Sequence, residues 1–236
     1  MTQLIQAAHE ALLARAQAGK TEVLSRFFKT GKGQYGEGDQ FLGVTVPMVR
    51  QVSRQFASLP LTACEELLDS PYNEARLLAL LILVKQYSKG SVANQEAIYQ
   101  SYLAHRNRVN NWNLVDSSAP YIVGPHLLCR DRQVLDALAR SPVLWDRRIA
   151  VLSTFAFIRA GDFADILRLT EMLLSDSHDL MHKACGWMLR EMGKRDVVVL
   201  EAFLRQHQRT MPRTMLRYAI ERFSPDQRRA LLAGVY

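Results

Sequence analysis

Residues 76–80 read Arg-Leu-Leu-Ala-Leu, a polar first position followed by apolar residues at helical spacing, and the same slot is filled three more times. Trp112-Asn113-Leu114-Val115-Asp116, Arg148-Ile149-Ala150-Val151-Leu152 and Lys183-Ala184-Cys185-Gly186-Trp187 follow at successive steps of 36, 36 and 35 positions. Each comes after a turn-like break, and each is preceded by another helical stretch. Two helices every ~35 to 45 residues is the period of helical solenoids such as HEAT repeats, whose units bury their apolar faces only by stacking on neighbours. The predicted fold is therefore all-α, a HEAT-like helical-repeat superhelix (α-solenoid) of diverged repeats with a concave basic groove.

The same periodicity extends outward from these segments. Leu24–Lys29, Thr62–Leu68, Glu74–Tyr87, Gln95–Leu103, Val134–Ala139, Arg147–Arg159, Phe163–Leu174, Leu180–Met192 and Val197–His207 all carry apolar residues at three- and four-residue steps. Leu59-Pro60, Ser70-Pro71, Ser141-Pro142, Gly161-Asp162, Ser175–Ser177 and Met211-Pro212 punctuate them. Ser or Asp ahead of a periodic run predicts a helix start, since the side-chain oxygen takes an orphan amide and proline fits the first turn. Val44-Thr45-Val46 is the one strand-like stretch. The whole chain, 1–236, reads as a single domain, with N-terminal helices over 1–60 and repeated helix pairs over 61–236. A glycine-rich loop at 30–40 reads as a surface loop.

Among the 236 residues, 30 Lys and Arg oppose 23 Asp and Glu for a net charge of +7, and only seven of the basic residues are Lys. The surplus is uneven: from Tyr102 onward there are 20 basic and 14 acidic residues, against 10 and 9 before it. An arginine-rich excess points to an anionic partner, nucleic acid above all, with a merely basic surface as the alternative. No apolar run approaches the ~18 residues of a membrane span. The start, Met-Thr-Gln-Leu-Ile-Gln, lacks a basic n-region and an apolar h-region, so a secretion signal is not expected. Cys64, Cys129 and Cys185 are far apart, with no CxxC, HExxH or zinc spacing, which predicts reduced thiols, a cytoplasmic location and no metal.

The register carries one further expectation. Its first slot holds Arg76, Trp112, Arg148 and Lys183, and one turn later stand Leu80, Asp116, Leu152 and Trp187. Residues four apart share a helix face, and equivalent faces of successive second helices line one side of a solenoid. Trp112, Asp116, Arg148 and Trp187 are thus predicted to converge on one groove. Asp116 interrupts an apolar stretch, which is costly unless the carboxylate is solvated, paired or hydrogen-bonded, and Pro120 should end its helix just beyond. Taken singly, Asp116 also reads as a helix-end ion-pair partner, the tryptophans as core aromatics, and Arg147-Arg148 as a solvated face.

Five segments stand in order along the chain: Arg26-Phe27-Phe28-Lys29; Phe41-Leu42-Gly43-Val44-Thr45-Val46-Pro47 with Arg50; Trp112–Ser117; Trp145-Asp146-Arg147-Arg148; and Lys183–Glu191. Together they resemble the AlkD family of DNA alkylation repair proteins. The resemblance implies a HEAT-like-repeat DNA glycosylase that removes cationic N3- and N7-alkylpurines from double-stranded DNA. It implies Asp116 as the catalytic carboxylate, with Trp112, Trp187 and Arg148 around the lesion and backbone. Phe27 falls beside the lesion where a tyrosine can occur, losing a phenolic hydrogen bond, and some members are shorter over Thr30–Gln40, where DNA contact through Lys29 and Lys32 is the alternative to a plain surface loop. Arg147, Lys183, Arg190 and Lys194 are the further candidates for the DNA backbone, and Arg195, Arg213, Arg217 and Arg222 extend that basic series. No cofactor is expected, and a monomer acting at the nucleoid is. Two readings remain beside the glycosylase: a non-catalytic binder of damaged or branched DNA, and a HEAT-type protein scaffold.

Overall fold

The periodic stretches fold as helices. The structure, a computed structural model, describes residues 3–235. Packing divides the chain into two compact units that meet in sequence between Ile122 and Val123. The first contains α1 (Gln3–Leu13), α2 (Lys20–Phe27), α3 (Val46–Gln55), α4 (Leu61–Leu68), α5 (Asn73–Lys89), α6 (Val92–Ala104) and the short α7 (Trp112–Asp116). The second contains α8 (Val123–Leu127), α9 (Gln133–Ala139), α10 (Leu144–Arg159), α11 (Ala164–Met172), α12 (Asp179–Gly193), α13 (Val197–His207), α14 (Arg213–Ala219) and α15 (Pro225–Ala233). No break falls at residue 60, because α1 packs on α3, α4 and α5.

This is a helical-repeat fold. In the first unit α5 packs against α3, α4, α6 and α7; in the second, α10 takes α8, α9, α11 and α12, and α12 takes α13 and α14. The pairs α4–α5, α9–α10 and α11–α12 thus recur, α13 packs on α12, and α10, α12 and α14 lie side by side. Helix α5 is buried on every face from Leu77 to Leu83, as the middle layer of a stack must be.

The six breaks read from the sequence each precede a helix, but the serines work differently from the expectation. Ser70 Oγ accepts the N–H of Tyr72 (3.2 Å) and Ser141 Oγ that of Val143 (3.1 Å), so they close the turn before the helix instead of capping it. Side-chain caps of the expected kind occur at Ser91, Asp196 and Ser224, the last with the reciprocal Gln227 contact of a capping box. Val44-Thr45-Val46 is not a strand. The N–H groups of Leu42, Gly43 and Val44 donate to the Glu74 carboxylate at 3.0, 3.0 and 3.1 Å, and Val46 opens α3. A ladder would need those donors. Burial pushes the Glu74 carboxyl above its ordinary range, and the three donors oppose that push.

At Gly186 α12 comes close against α14. A Cβ there would lie 2.4 Å from Met215 O and 2.6 Å from Tyr218 Cβ. Backbone cannot swing aside as a side chain does, so Gly186→Ala is expected to cost about 1–3 kcal/mol through overpacking. A lower urea midpoint, with the slope unchanged, checks it.

Cys64 and Cys185 are buried free thiols and Cys129 is exposed. Burial pushes the first two up to about 12, far from the thiolate that reacts. Among the described residues no helix is long and apolar enough to cross a membrane, and no group of three or more His, Cys, Asp or Glu is placed to hold a metal.

Candidate functional site

Helix α7 is short because both ends are fixed by side chains. Its first amide, Trp112 N–H, donates to Asn111 Oδ1 at 2.9 Å, an N-cap contact. Its last turn is closed by the buried Ser118 hydroxyl, 2.6 Å from Leu114 O and 3.0 Å from the Tyr102 hydroxyl. Pro120, which has no N–H to continue the helix, lies in the 3-10 turn Ala119–Tyr121. Between these ends Asn113, Leu114 and Val115 are buried, while Trp112 and Asp116 are half-buried. Four residues apart, those two share the face that α7 turns away from the core.

The Trp112 indole is held by the carboxyl end of α2. Phe28, 4% exposed, stacks on it with centroids 5.0 Å apart and planes 28° from parallel, and Phe41 stacks beneath Phe28 at 5.0 Å. Phe27 meets the indole edge-on at 5.7 Å and is 59% exposed. The Tyr35 hydroxyl, from the glycine-rich loop, donates to Phe27 O at 3.3 Å. An edge-to-face pair of this kind is favourable by the ring quadrupoles. The outer ring of the pair leaves apolar area uncovered.

A buried polar cluster supports α7 from below. Asp39, whose side chain is 2% exposed, accepts from Arg76 Nη2 (2.5 Å), Asn73 Nδ2 (2.9 Å), Asn111 Nδ2 (3.0 Å) and Asn110 Nδ2 (3.2 Å). Asn113 Nδ2 donates to Asn73 Oδ1 at 2.8 Å. Arg76 therefore serves the interior, where burial pulls its pKa down and Asp39 opposes the pull. Sequence reasoning placed Arg76 in the repeat register but missed Asp39, Asn73 and Asn111. An Asn directly before Trp112 is a readable N-cap signal; nothing in the sequence flags Asp39.

In the second unit the candidate cations lie on α10, on α12 and at the residue that caps α12, and each has a partner within the unit. Arg147 Nε donates to Asp176 Oδ2 at 2.7 Å and its Nη1 to the carbonyls of Ser141 (2.9 Å) and Pro142 (3.0 Å). Arg148, 5% exposed, donates from Nη1 to Leu180 O at 2.7 Å. Lys183 pairs with Asp179 at 2.7 Å, and Arg190 with Glu221. Glu191 Oε1 gathers the Trp187 indole N–H (3.2 Å) and Lys194 Nζ (2.7 Å). Trp187 is half-buried, like Trp112. Exposed pairs such as Lys183–Asp179 and Lys194–Glu191 contribute only ~0–1 kcal/mol, so those lysines can exchange a carboxylate for a phosphate cheaply. Arg147 is held more firmly, since Asp176 is 4% exposed. Arg195, Arg213, Arg217 and Arg222 are exposed and have no carboxylate among the described residues at ion-pair distance.

The first unit thus brings Phe27, Trp112 and Asp116 together on α2 and α7, and the second gathers Trp187, Arg190 and Lys194 around one carboxylate. A solved structure described as a predicted DNA alkylation repair enzyme from Enterococcus faecalis is similar to this chain, with a TM-score of 0.70 over 89% of this chain and 98% of that one, at 14% sequence identity. No curated protein matches it. The family described as DNA alkylation repair enzyme matches residues 8–223, from within α1 to the end of the last repeat, and the chain belongs to that family.

Proposed function

We propose that the protein is a DNA glycosylase that hydrolyses the N-glycosidic bond of cationic N3- and N7-alkylated purines in duplex DNA. The observation that carries this reading is the pairing, on the outward face of α7, of Trp112 and Asp116, with the exposed Phe27 ring 5.7 Å from the indole. An alkylated purine carries formal positive charge and leaves without protonation. As the bond to the deoxyribose lengthens, positive charge develops on the sugar. Asp116 stabilises that charge and orients or deprotonates the attacking water. The indole face attracts the cationic base, worth ~0.5–2 kcal/mol, and the Phe27 edge adds apolar area beside it. Trp187 is assigned the same task as Trp112.

Lys183, Lys194 and Arg190 are assigned to backbone phosphates, each exchanging its carboxylate for a phosphate oxygen. Arg147 is the weakest of the set, because its guanidinium already serves Asp176 and two carbonyls. Arg148 has little surface to offer and contributes by one edge at most, its anchor at Leu180 O fixing the start of α12. Water serves as the nucleophile, so the products are free base and an abasic strand without a nick.

The test is base release from duplex carrying N7-methylguanine or N3-methyladenine. Free base with an intact strand is expected, and salt-sensitive duplex binding should accompany it, log K falling linearly with log[salt]. Binding without release of either base identifies a non-catalytic binder and rejects the enzyme; neither binding nor release leaves a scaffold.

A further inference from the structure

We infer that Asp39, the carboxylate at the end of the glycine-rich 30–40 loop, is a positioning residue for Trp112 and acts through Asn111. The inference rests on the proposed reading that the Trp112 indole meets the damaged base. Asn111 has two tasks that depend on the orientation of one amide. Its Oδ1 must face Trp112 N–H, which it accepts at 2.9 Å, and its Nδ2 then faces Asp39 Oδ2 at 3.0 Å. A neutral amide can turn over and exchange its ends. A carboxylate accepts only, so Asp39 selects the one orientation that caps α7. Asp39 is itself held by Arg76 and Asn73 of α5, which links the loop, α5 and α7 across 72 sequence positions.

The loop is shaped for this contact. A Cβ on Gly36 would lie 2.3 Å from Phe28 O and 3.1 Å from Asn111 Nδ2, so the loop closes on Asn111 only because that position is glycine. Gly36 N–H also donates to Lys29 O at 3.0 Å, tying the loop to the end of α2. Phe28 stacks on one face of the indole while Asn111 fixes the backbone that carries it. The orientation of Trp112 is therefore set from two sides, and the loop supplies one of them.

Asn111→Ser and Asn111→Ala separate this from simple capping. Serine keeps a cap oxygen but cannot reach Asp39; alanine loses both. In protein labelled with 5-fluorotryptophan, the Trp112 fluorine resonance is assigned with Trp112→Phe. In both Asn111 variants it is expected to move or broaden, with the Trp145 and Trp187 resonances unmoved. Single-turnover base release is expected to fall ten-fold or more in both, with duplex Kd within two-fold of wild type. A serine variant with the wild-type Trp112 resonance and release rate overturns the inference, leaving capping alone. All three resonances shifting together overturns it as well, because that is general loss of structure. If wild type releases no base, the glycosylase reading fails, and the fluorine arm still decides whether Asp39 and Asn111 orient Trp112.

Discussion

Asp116→Asn is expected to lower single-turnover release of N7-methylguanine by about 10²–10³-fold, the range for removing one preorganised group that meets transition-state charge. Duplex affinity should stay within a few-fold, because the carboxylate acts on charge that builds on the deoxyribose only as the glycosidic bond breaks. An effect on rate without one on binding is the signature of an interaction made only in the transition state. The substitution keeps the shape of the side chain and removes its charge. Asp116 closes α7, where Ser118 Oγ donates to Leu114 O and meets the Tyr102 hydroxyl, and an unchanged thermal midpoint separates the loss of rate from a loss of fold. Asparagine at 116 with wild-type release would remove Asp116 from the chemistry, and Trp112 would then stand as a binding residue only.

The fold was legible because burial in a helical stack leaves a periodic trace. Each of the nine periodic stretches overlaps a helix, though Leu24–Lys29 and Phe163–Leu174 run past the ends of α2 and α11. Helices α1, α3, α8, α14 and α15 escaped both these stretches and the repeated slots, and two of them show a physical reason. Helix α3 opens on Val46-Pro47, residues that read as the end of a strand, and α15 buries only Leu231, too little for a stripe. Trp112 and Asp116 were legible as a pair because four-residue spacing puts both on one face whatever else surrounds them. The support beneath them was not. Asp39 joins Asn73, Arg76 and Asn111 over separations of 34, 37 and 72 residues, and no local pattern records which distant side chain a loop carboxylate will meet. Charge counting also missed how many of the arginines and lysines are engaged by carboxylates, as Arg132 is by Asp162 and Asp165 and Arg168 by Asp136 and Asp165. A net surplus fixes the sign of the field and not which cations are available.

Arg76→Leu carries the largest expected effect on stability. Both side chains of the Arg76–Asp39 pair are 2% exposed, and removing the cation leaves a buried carboxylate whose remaining donors are three neutral amides. Breaking such a pair from one side costs about 3–5 kcal/mol, most of it the penalty of the charge left behind. Arg76 Nη1 also donates to Ser70 O at 2.8 Å, so the turn before α5 loses a donor as well. The loss should be local before it is global: amide hydrogen exchange is expected to accelerate in α5, α7 and the 30–40 loop, with α12 and α14 protected as in wild type. Replacing both partners, as Arg76→Leu with Asp39→Leu, is expected to recover part of the stability, since no charge is then stranded. It should not recover the Trp112 environment, because Asn111 is still left without its carboxylate. A double variant that regains both stability and the wild-type indole environment would mean that the pair only holds the fold. Regaining stability alone separates the energy of the ion pair from its use in orienting α7.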